Sequence, residues 1–154
     1  IAAGYRFSAA LKKDGTVQVW GDSSSKQTSI PSGIVDVVSI KAGFGHVVVL
    51  LKDGSVKAWG DNASGQTSTP ANLPKAVQIA AGGGHTLALL ADSTVVGWGD
   101  NGVGQTSVPE GLKSVVAIAA GDGHSLALLR DGSVVAWGED EYGQVKVPGS
   151  IAKY

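Results

Sequence analysis

The segment GWGDNGVGQTSVP, residues 97–109, places Gly97, Gly99 and Gly102 in the spacing G-x-G-x-x-G. That spacing is the fingerprint of a dinucleotide-binding turn, in which glycines let a pyrophosphate approach the backbone at the start of a helix. Here the following residues, QTSVP, are rich in β-branched side chains and end in proline, so they do not predict a helix. A nucleotide site is not favoured, and we expect no cofactor.

Three histidines, His46, His85 and His124, recur at a spacing of 39 residues, and Phe7 lies 39 residues before the first of them. Three histidines suggest zinc, whose nitrogen ligands lie about 2.0–2.1 Å from the metal. Equivalent residues on packed sheets are roughly 10 Å apart, which is too far for one ion. We therefore expect no metal, and structural histidines that hydrogen-bond the backbone at strand starts.

Catalytic arrangements are not indicated elsewhere. Ser125 follows His124, but neighbours on a strand point to opposite faces, so the two do not predict a triad. The acidic residues cluster in EDEY, residues 139–142, which is typical of a solvated loop. We expect a protein that is not an enzyme.

Composition narrows the class further. The chain has 154 residues, 16% of them charged, with a net charge of −1 and no cysteine. A basic nucleic-acid footprint, a disulfide framework and a cysteine zinc site are excluded, and no apolar run approaches the roughly 18 residues of a membrane span. We expect no nucleic-acid or membrane partner. The chain begins IAAGYRFS, which predicts processing or excision from a longer protein.

The glycines belong to a repeat. Trp-Gly recurs four times at a spacing of 39 residues, and only Gly99 of the fingerprint has glycine in every copy. The predicted module spans residues 1–154 and contains four repeats, at 1–39, 40–78, 79–117 and 118–154.

One unit reads as a small sheet. SVVAIAAG, HSLALL and VVAWG predict three strands, and QVKVP predicts a fourth at the edge. Repeated four-stranded antiparallel sheets of about 40 residues stack radially, so the predicted fold is all-β, with four β-propeller blades. The repeated tryptophans are expected to anchor the packing between blades with their N–H groups paired: Trp20, Trp59, Trp98 and Trp137.

The hairpins carry Asp-Gly, which favours a type I′ turn with positive φ at both central positions. The third unit has Asp92-Ser93 instead. Since a non-glycine residue at positive φ costs on the order of 1 kcal/mol, we expect a strained or altered turn at Ser93.

The stretch AAGGGHTLALLADSTVVGWGDNGVGQ resembles the repeat of the regulator of chromosome condensation family. The unit length and the ending GQTSVP are similar to the family's propeller-type β-lactamase inhibitor protein II group. The resemblance implies a β-propeller, usually of seven blades, that binds other proteins. The resemblance is also compatible with a secreted protein. The residues themselves indicate no compartment.

The loops after the first and third strands emerge on one side, and they vary most between units. The resemblance places partner contacts on this side, and by position these are Tyr5, Arg6, Phe7, Phe44 and Tyr142. The leading function is a non-catalytic protein-binding scaffold. The alternatives are a structural or engineered propeller fragment that assembles into a closed ring, and a lectin or enzyme with a site at the central channel. Specific β-lactamase inhibition ranks below these, because the third unit offers GGGH and NGVG, almost bare backbone.

The ends of the chain suggest self-association. Residues 1–78 carry eight Lys or Arg and five Asp or Glu, whereas residues 79–154 carry four and eight. Four blades alone would each span a wide wedge, while two chains give eight blades. The sequence therefore predicts a head-to-tail homodimer, each chain being half of an eight-bladed ring.

Overall fold

Each repeat folds into a three-stranded antiparallel sheet in the computed structural model, which describes residues 1–151. The sheets are called blades 1 to 4 in chain order, and each has an inner, a middle and an outer strand. The elements are β1 (Ala2–Ala3), β2 (Phe7–Leu11), β3 (Val17–Gly21), β4 (Val37–Ala42), β5 (His46–Leu51), β6 (Val56–Gly60), β7 (Ala76–Ala81), β8 (His85–Leu90), β9 (Val95–Gly99), β10 (Val115–Ala120), β11 (His124–Leu129), β12 (Val134–Gly138) and the 3₁₀ turn η1 (Gly149–Ile151).

The core lies between the blades. In β5, Val47 and Val49 pack towards blade 1, while Val48 and Leu50 pack towards blade 3. Both faces of a middle strand are thus buried, which explains its continuous apolar run in place of alternation with polar residues. Each such side chain contributes roughly 1.5–3 kcal/mol through burial.

The blades stack in chain order, as in an arc of a β-propeller. The middle strand of each blade packs against the inner strand of the next: β2 against β4, β5 against β7, and β8 against β10. Within the described residues, the outward faces of blades 1 and 4 have no neighbouring blade. Trp20 on blade 1 is 52% exposed, and Leu128 on blade 4 is 38% exposed.

The predicted fourth strand does not form. In blade 2 its place is taken by turns, in which Ser68 N bonds Gly65 O and Thr69 N bonds Thr67 O. The Asn62 side chain accepts from Thr67 N, and the Gln66 carbonyl accepts from blade 3. The backbone groups of this segment are therefore used by side chains and by the next blade, which leaves no ladder for a fourth strand.

The hairpin turns also differ from the prediction. Only the glycine of each Asp-Gly pair has positive φ, as at Gly15 (79°), and Gly15 N bonds Lys12 O. A type I turn followed by a left-handed glycine therefore replaces type I′. The aspartate instead accepts from the residue two positions on, as Asp14 does from Thr16 N. Ser93 has φ of 68°, so the left-handed conformation predicted there is confirmed.

None of the described residues forms a helix long and apolar enough to cross a membrane. The predicted fourth repeat runs to residue 154, and its last three residues lie outside the described part of the chain.

Candidate protein-binding face

The first residue of each middle strand lies against the loop that precedes it. His46, His85 and, in blade 1, Phe7 fill this position with a buried ring. A Cβ on the glycine three residues earlier would collide with that ring, as Gly43 would with His46 and Gly4 with Phe7. Glycine is therefore required there because the ring lies directly against the backbone of the preceding loop.

His46 and His85 bond hydroxyl groups of the next blade, whereas the sequence predicts hydrogen bonds to the backbone. His46 Nε2 lies 3.2 Å from Thr86 Oγ1, and His85 Nε2 lies 3.0 Å from Ser125 Oγ. The Thr86 hydroxyl donates its only hydrogen to the Gln66 carbonyl at 2.9 Å. Its oxygen must then accept from the imidazole, which assigns the neutral Nε2–H tautomer to His46.

The tryptophans complete the same connection. Trp59, Trp98 and Trp137 donate from Nε1 to the carbonyls of Gln27, Gln66 and Gln105 on the preceding blade, at 2.9–3.0 Å. The Gln66 carbonyl thus accepts from both Trp98 and Thr86. We refer to this set of bonds, from histidine to hydroxyl to glutamine carbonyl and from tryptophan to the same carbonyl, as the blade relay.

Sequence reasoning missed the hydroxyl partners. The sequence did carry a signal for them. The first residue of each middle strand pairs with the second residue of the middle strand in the next blade. Phe7 faces the position of Val47, His46 faces Thr86, and His85 faces Ser125. Aromatic hydrocarbon is matched with an aliphatic side chain, and imidazole with a hydroxyl.

Burial makes these imidazoles weak bases. It lowers the pKa of His46 from 6.5 to about 4, with a smaller contribution from His85 and an opposing one from Asp61. Burial likewise lowers the pKa of His85, against the carboxylates of Asp100 and Asp122. Nδ1 of both histidines is buried and makes no hydrogen bond. These imidazoles stay neutral and lie on separate blades, where they contribute to the packing between blades. Among residues 1–151, no group of three or more His, Asp or Glu is arranged to hold a metal.

The first and third loops of every blade emerge on one side, as expected, and we call this side the loop face. It comprises the first loops at 4–6, 43–45, 82–84 and 121–123, and the third loops at 22–26, 61–65, 100–104 and 139–143. Neighbouring first loops are joined by hydrogen bonds from Tyr5 N to Phe44 O, Phe44 N to Gly83 O and Gly83 N to Asp122 O. Together they surround a cup of about 250 Å³ at the centre of the arc.

An aromatic cluster stands at the rim of this cup. The rings of Tyr5 and Phe44 lie 5.6 Å apart at 41°, and the Arg6 guanidinium lies 5.2 Å from the centre of the Tyr5 ring. Tyr5 is 67% exposed and Phe44 is 53% exposed. The hydrogen bond between their loops holds the two rings side by side, so the cluster is a preformed apolar and cationic surface.

The third loops are rigidly built. In blade 3, Asp100 accepts from Gly102 N, while the Gln105 side chain donates to Asp100 and accepts from Val103 N. In blade 4, Gln144 accepts from Tyr142 N in the same way. The loop therefore presents residue 142 outward on a fixed backbone, and Tyr142 is 84% exposed.

Two sequence-predicted residues do not lie where expected. Phe7 is 4% exposed and belongs to the core between blades 1 and 2, so its side chain is not part of the loop face. Trp20 is 52% exposed, in contrast to the 6–8% of its three equivalents, since no blade of the chain covers it within the described residues. Of the G-x-G-x-x-G glycines, Gly97 and Gly99 lie in β9, and Gly102 lies in the third loop of blade 3. Gly99 ends β9 with φ of 102°, where a Cβ would lie 2.7 Å from the carbonyl of Gly84.

Comparison with known proteins defines the class. A model of the regulator of chromosome condensation (RCC1) repeat matches residues 1–27, 37–66, 76–105 and 115–144, and the chain belongs to this family of β-propellers. No curated protein matches the chain by sequence.

Solved structures share the fold. Prp20p from Saccharomyces cerevisiae is 21% identical, with a TM-score of 0.82, and the match covers 99% of this chain and 48% of that one. The CRINKLY WD40 ectodomain of the Arabidopsis thaliana receptor kinase ACR4 is 27% identical, with a TM-score of 0.74, over 89% of this chain and 49% of that one. Human WBSCR16 is 23% identical, with a TM-score of 0.73, over 88% and 45%. The chain thus spans about half the length of these structures.

Proposed function

We propose that the chain is a non-catalytic protein-binding scaffold whose loop face contacts the partner. The observation that supports this most directly is the exposed cluster of Tyr5, Arg6 and Phe44, held together by a backbone hydrogen bond. Tyrosine and arginine are enriched among the residues that dominate binding energy at protein interfaces. Preformed rings also lose little conformational freedom when a partner binds.

The family supports the same role. RCC1-type propellers commonly act as protein-binding scaffolds, and the reported properties of Prp20p include binding to Gsp1p and histones. The present chain has its own pattern of charged groups, with the exposed Arg6 at one end of the arc and, at the other, the exposed Glu141 beside the half-buried Glu139 and Asp140. A partner of mixed charge with an apolar centre fits this face.

The test compares variants on the two sides of the blades. A purified partner, identified by affinity capture, is titrated by calorimetry against Tyr5→Ala, Phe44→Ala and Tyr142→Ala. We expect each to weaken binding by about 1 kcal/mol or more with unfolding unchanged. Lys13→Ala, on an exposed Asp-Gly hairpin at the opposite side, is the matched control and should leave affinity unchanged. If Lys13→Ala weakens binding while the aromatic variants do not, the loop face is the wrong surface.

The narrower hypothesis of β-lactamase inhibition is tested separately. It is supported by the aromatic rim of the cup and weakened by blade 3, whose first loop, Gly82–Gly84, has no side chains and whose third loop presents one large apolar side chain, Val103. Hydrolysis of a chromogenic cephalosporin by a panel of β-lactamases should slow in the presence of the chain if the hypothesis holds. A glycan array addresses the lectin alternative, since binding there that Tyr5→Ala abolishes would replace a protein partner with a carbohydrate.

A further inference from the structure

The cup at the centre of the loop face is aromatic on one side and electronegative on the other. The rings of Tyr5 and Phe44 line the first side, and the carboxylate-bearing Asp122 lines the second. Between them lie Gly82 and Gly83, which bring no side chains. We propose that this cup receives a lysine side chain of the partner protein, with its methylene stem against the rings and its ammonium group beside Asp122. This inference names the chemistry of the partner and rests on the proposed function.

The glycine at position 83 gives the Asp122 carboxylate its place. A Cβ on Gly83 would collide with Oδ1 of Asp122, so this oxygen lies over the bare backbone of the preceding blade. The two loops are joined by the hydrogen bond from Gly83 N to Asp122 O. Asp122 is exposed, and among residues 1–151 no basic side chain forms a salt bridge with it. Its carboxylate is therefore directed towards the cup and is open to a cationic group.

Main-chain carbonyls add acceptors at the wall of the cup. A Cβ on Gly43 would collide with the oxygen of Gly82, and a Cβ on Gly82 would collide with the oxygen of Gly121. Each oxygen thus lies against the first loop of the preceding blade, and all three glycines line the cup. None of residues 1–151 donates a hydrogen bond to the oxygen of Gly82 or Gly121. Carbonyl groups without a donor favour a ligand that carries N–H groups.

The histidines behind this wall add no positive charge. Burial lowers the pKa of His46 and of His85, so both imidazoles are neutral at pH 7. Their Nδ1 atoms are buried, make no hydrogen bond and belong to rings that lie directly against Gly43 and Gly82. In the Nε2–H tautomer of His46, Nδ1 carries a lone pair on this side of the ring. The groups around the cup therefore all favour a cation.

The loop face around the cup is acidic. The loops that blades 2 to 4 contribute to it contain six acidic residues and no basic residue, and its two basic residues, Arg6 and Lys26, lie on blade 1. The whole loop face has seven acidic and two basic residues, whereas the rest of the chain has six acidic and ten basic residues. An asymmetry of this kind orients a charged partner and raises its rate of association. A basic surface is consequently steered to the loop face.

Lysine suits the cup better than arginine does. The carboxylate and the carbonyls reach the cup from different loops, and a compact ammonium group can direct its three donors to acceptors that do not share a plane. The guanidinium of arginine offers a planar fork, which matches two oxygens of one group. The stem of lysine is apolar and can pack against Tyr5 and Phe44 while the charge stays at the exposed Asp122.

Titration with short peptides, followed by NMR, tests the cup without the partner. The probes are acetyl-Gly-Lys-Gly-amide and the same peptide with norleucine or arginine in place of lysine. We expect the lysine peptide to shift the amide resonances of Gly83 and Asp122 with a dissociation constant on the order of millimolar. The norleucine peptide, which lacks the ammonium group, should bind at least about tenfold more weakly.

Two outcomes would overturn the proposal outright. One is the absence of shifts with the lysine peptide up to about 50 mM, and the other is equal binding of the norleucine peptide. Binding of the arginine peptide as tight as that of the lysine peptide would overturn the assignment to lysine.

Variants of the chain locate the bound peptide. Asp122→Asn should raise the dissociation constant of the lysine peptide roughly tenfold and leave that of the norleucine peptide unchanged, because only a charge-assisted hydrogen bond is lost. Gly83→Ala should act in the same direction, since its Cβ displaces the carboxylate. Asp14→Asn removes the same charge on the hairpin side and is the matched control, which should change nothing. If Asp122→Asn binds the lysine peptide as the unmodified chain does, the proposal fails.

The peptide titration and the titration with the partner fail independently. If Tyr5→Ala weakens the partner but the lysine peptide does not bind, the loop face remains the binding surface and only the lysine site is wrong. If the lysine peptide binds but Tyr5→Ala and Phe44→Ala leave the affinity of the partner unchanged, the proposed function is wrong, and with it the partner as the source of the lysine.

Discussion

The interface between blades 1 and 2 and the interface between blades 2 and 3 use one backbone geometry with different chemistry. The first is apolar: Phe7 and Val47 lie in one core cluster, and among residues 1–151 Trp59 alone donates to the Gln27 carbonyl. The second is polar: His46 is bonded to Thr86, and both Thr86 and Trp98 donate to Gln66. The rings occupy equivalent places, each lying against a glycine of the preceding loop.

This difference shows that the fold requires two matching residues at a pair of facing positions. It does not require one particular residue at either position. The hydroxyl on the next blade accepts a hydrogen bond from the buried imidazole, and loss of that partner would leave a buried polar group unpaired at a cost of about 1–3 kcal/mol. The phenyl ring needs no such partner. The polar interface is consequently sensitive to pH and to loss of one hydroxyl, whereas the apolar interface is sensitive only to volume.

A fall in pH should produce the largest difference in stability between the two interfaces. The pKa of His46 is about 4 in the fold and 6.5 when unfolded, so the unfolded chain binds a proton first as the pH falls. Stability from this group is fully present above pH 6.5 and is lost as the pH falls towards 4, by about 3 kcal/mol. The lowered pKa of His85 acts in the same direction.

Urea unfolding at pH 7 and pH 4.5 measures this loss. The double variant His46→Phe/Thr86→Val turns the polar interface into a copy of the apolar one, and it should lose markedly less stability over this range. The exposed aspartates of the hairpins, such as Asp14, have pKa values lowered by bonds to Thr16 or its equivalents and titrate below 3.8. They therefore cannot account for a change above pH 4.5, and an equal loss in the double variant and the unmodified chain would contradict the assignment.

Removing one hydroxyl should have the next largest effect. Thr86→Val keeps the volume but leaves His46 Nε2–H without its acceptor and the Gln66 carbonyl with one donor fewer. We expect the free energy of unfolding to fall by about 1–3 kcal/mol at pH 7. His46→Phe in the Thr86→Val background should recover most of it. A double-mutant cycle with no coupling between these two positions would show that the bond is not the reason for the difference between the interfaces.

The fold was predictable from the sequence because the repeat gives four independent views of one unit. The 39-residue period, the alternating runs and the Asp-Gly hairpins sufficed for the blades, and Trp-Gly marked the outer strands. The fourth strand was not predictable from propensity, since QTSTP reads as extended. Its backbone groups are used by Asn62 and by the next blade, contacts that exist only in the stacked structure.

The location of the candidate site could be predicted from the sequence, but not all of its residues could. Strand alternation placed the loops on one side, and Tyr5, Phe44 and Tyr142 are exposed there. Phe7 was included by its position at the start of a middle strand, but that position is buried, as it is for His46 and His85. A substitution within a repeat can mark either a binding residue or a change of packing partner, and only the residue facing it, here Val47, separates the two.

The smallest effect concerns a change that should strengthen the chain without altering either interface. Ser93 occupies the left-handed region with φ of 68°, where the equivalents Gly15, Gly54 and Gly132 have φ of 79–87°. Ser93→Gly relieves the cost of a side chain in that region but increases the freedom of the unfolded chain. The net gain should be about 0.5–1 kcal/mol, which corresponds to a rise in melting temperature of roughly 2 °C for a chain of this length. Gly132→Ser in blade 4 is the matched reverse change and should lower the melting temperature by a similar amount.

Because the hairpins lie at the opposite end of the blades from the histidines, the loss of stability between pH 7 and 4.5 should be the same in both variants as in the unmodified chain. An unchanged melting temperature in Ser93→Gly would show that the turn is not strained, and a changed acid response would show that the hairpin and the polar interface are coupled.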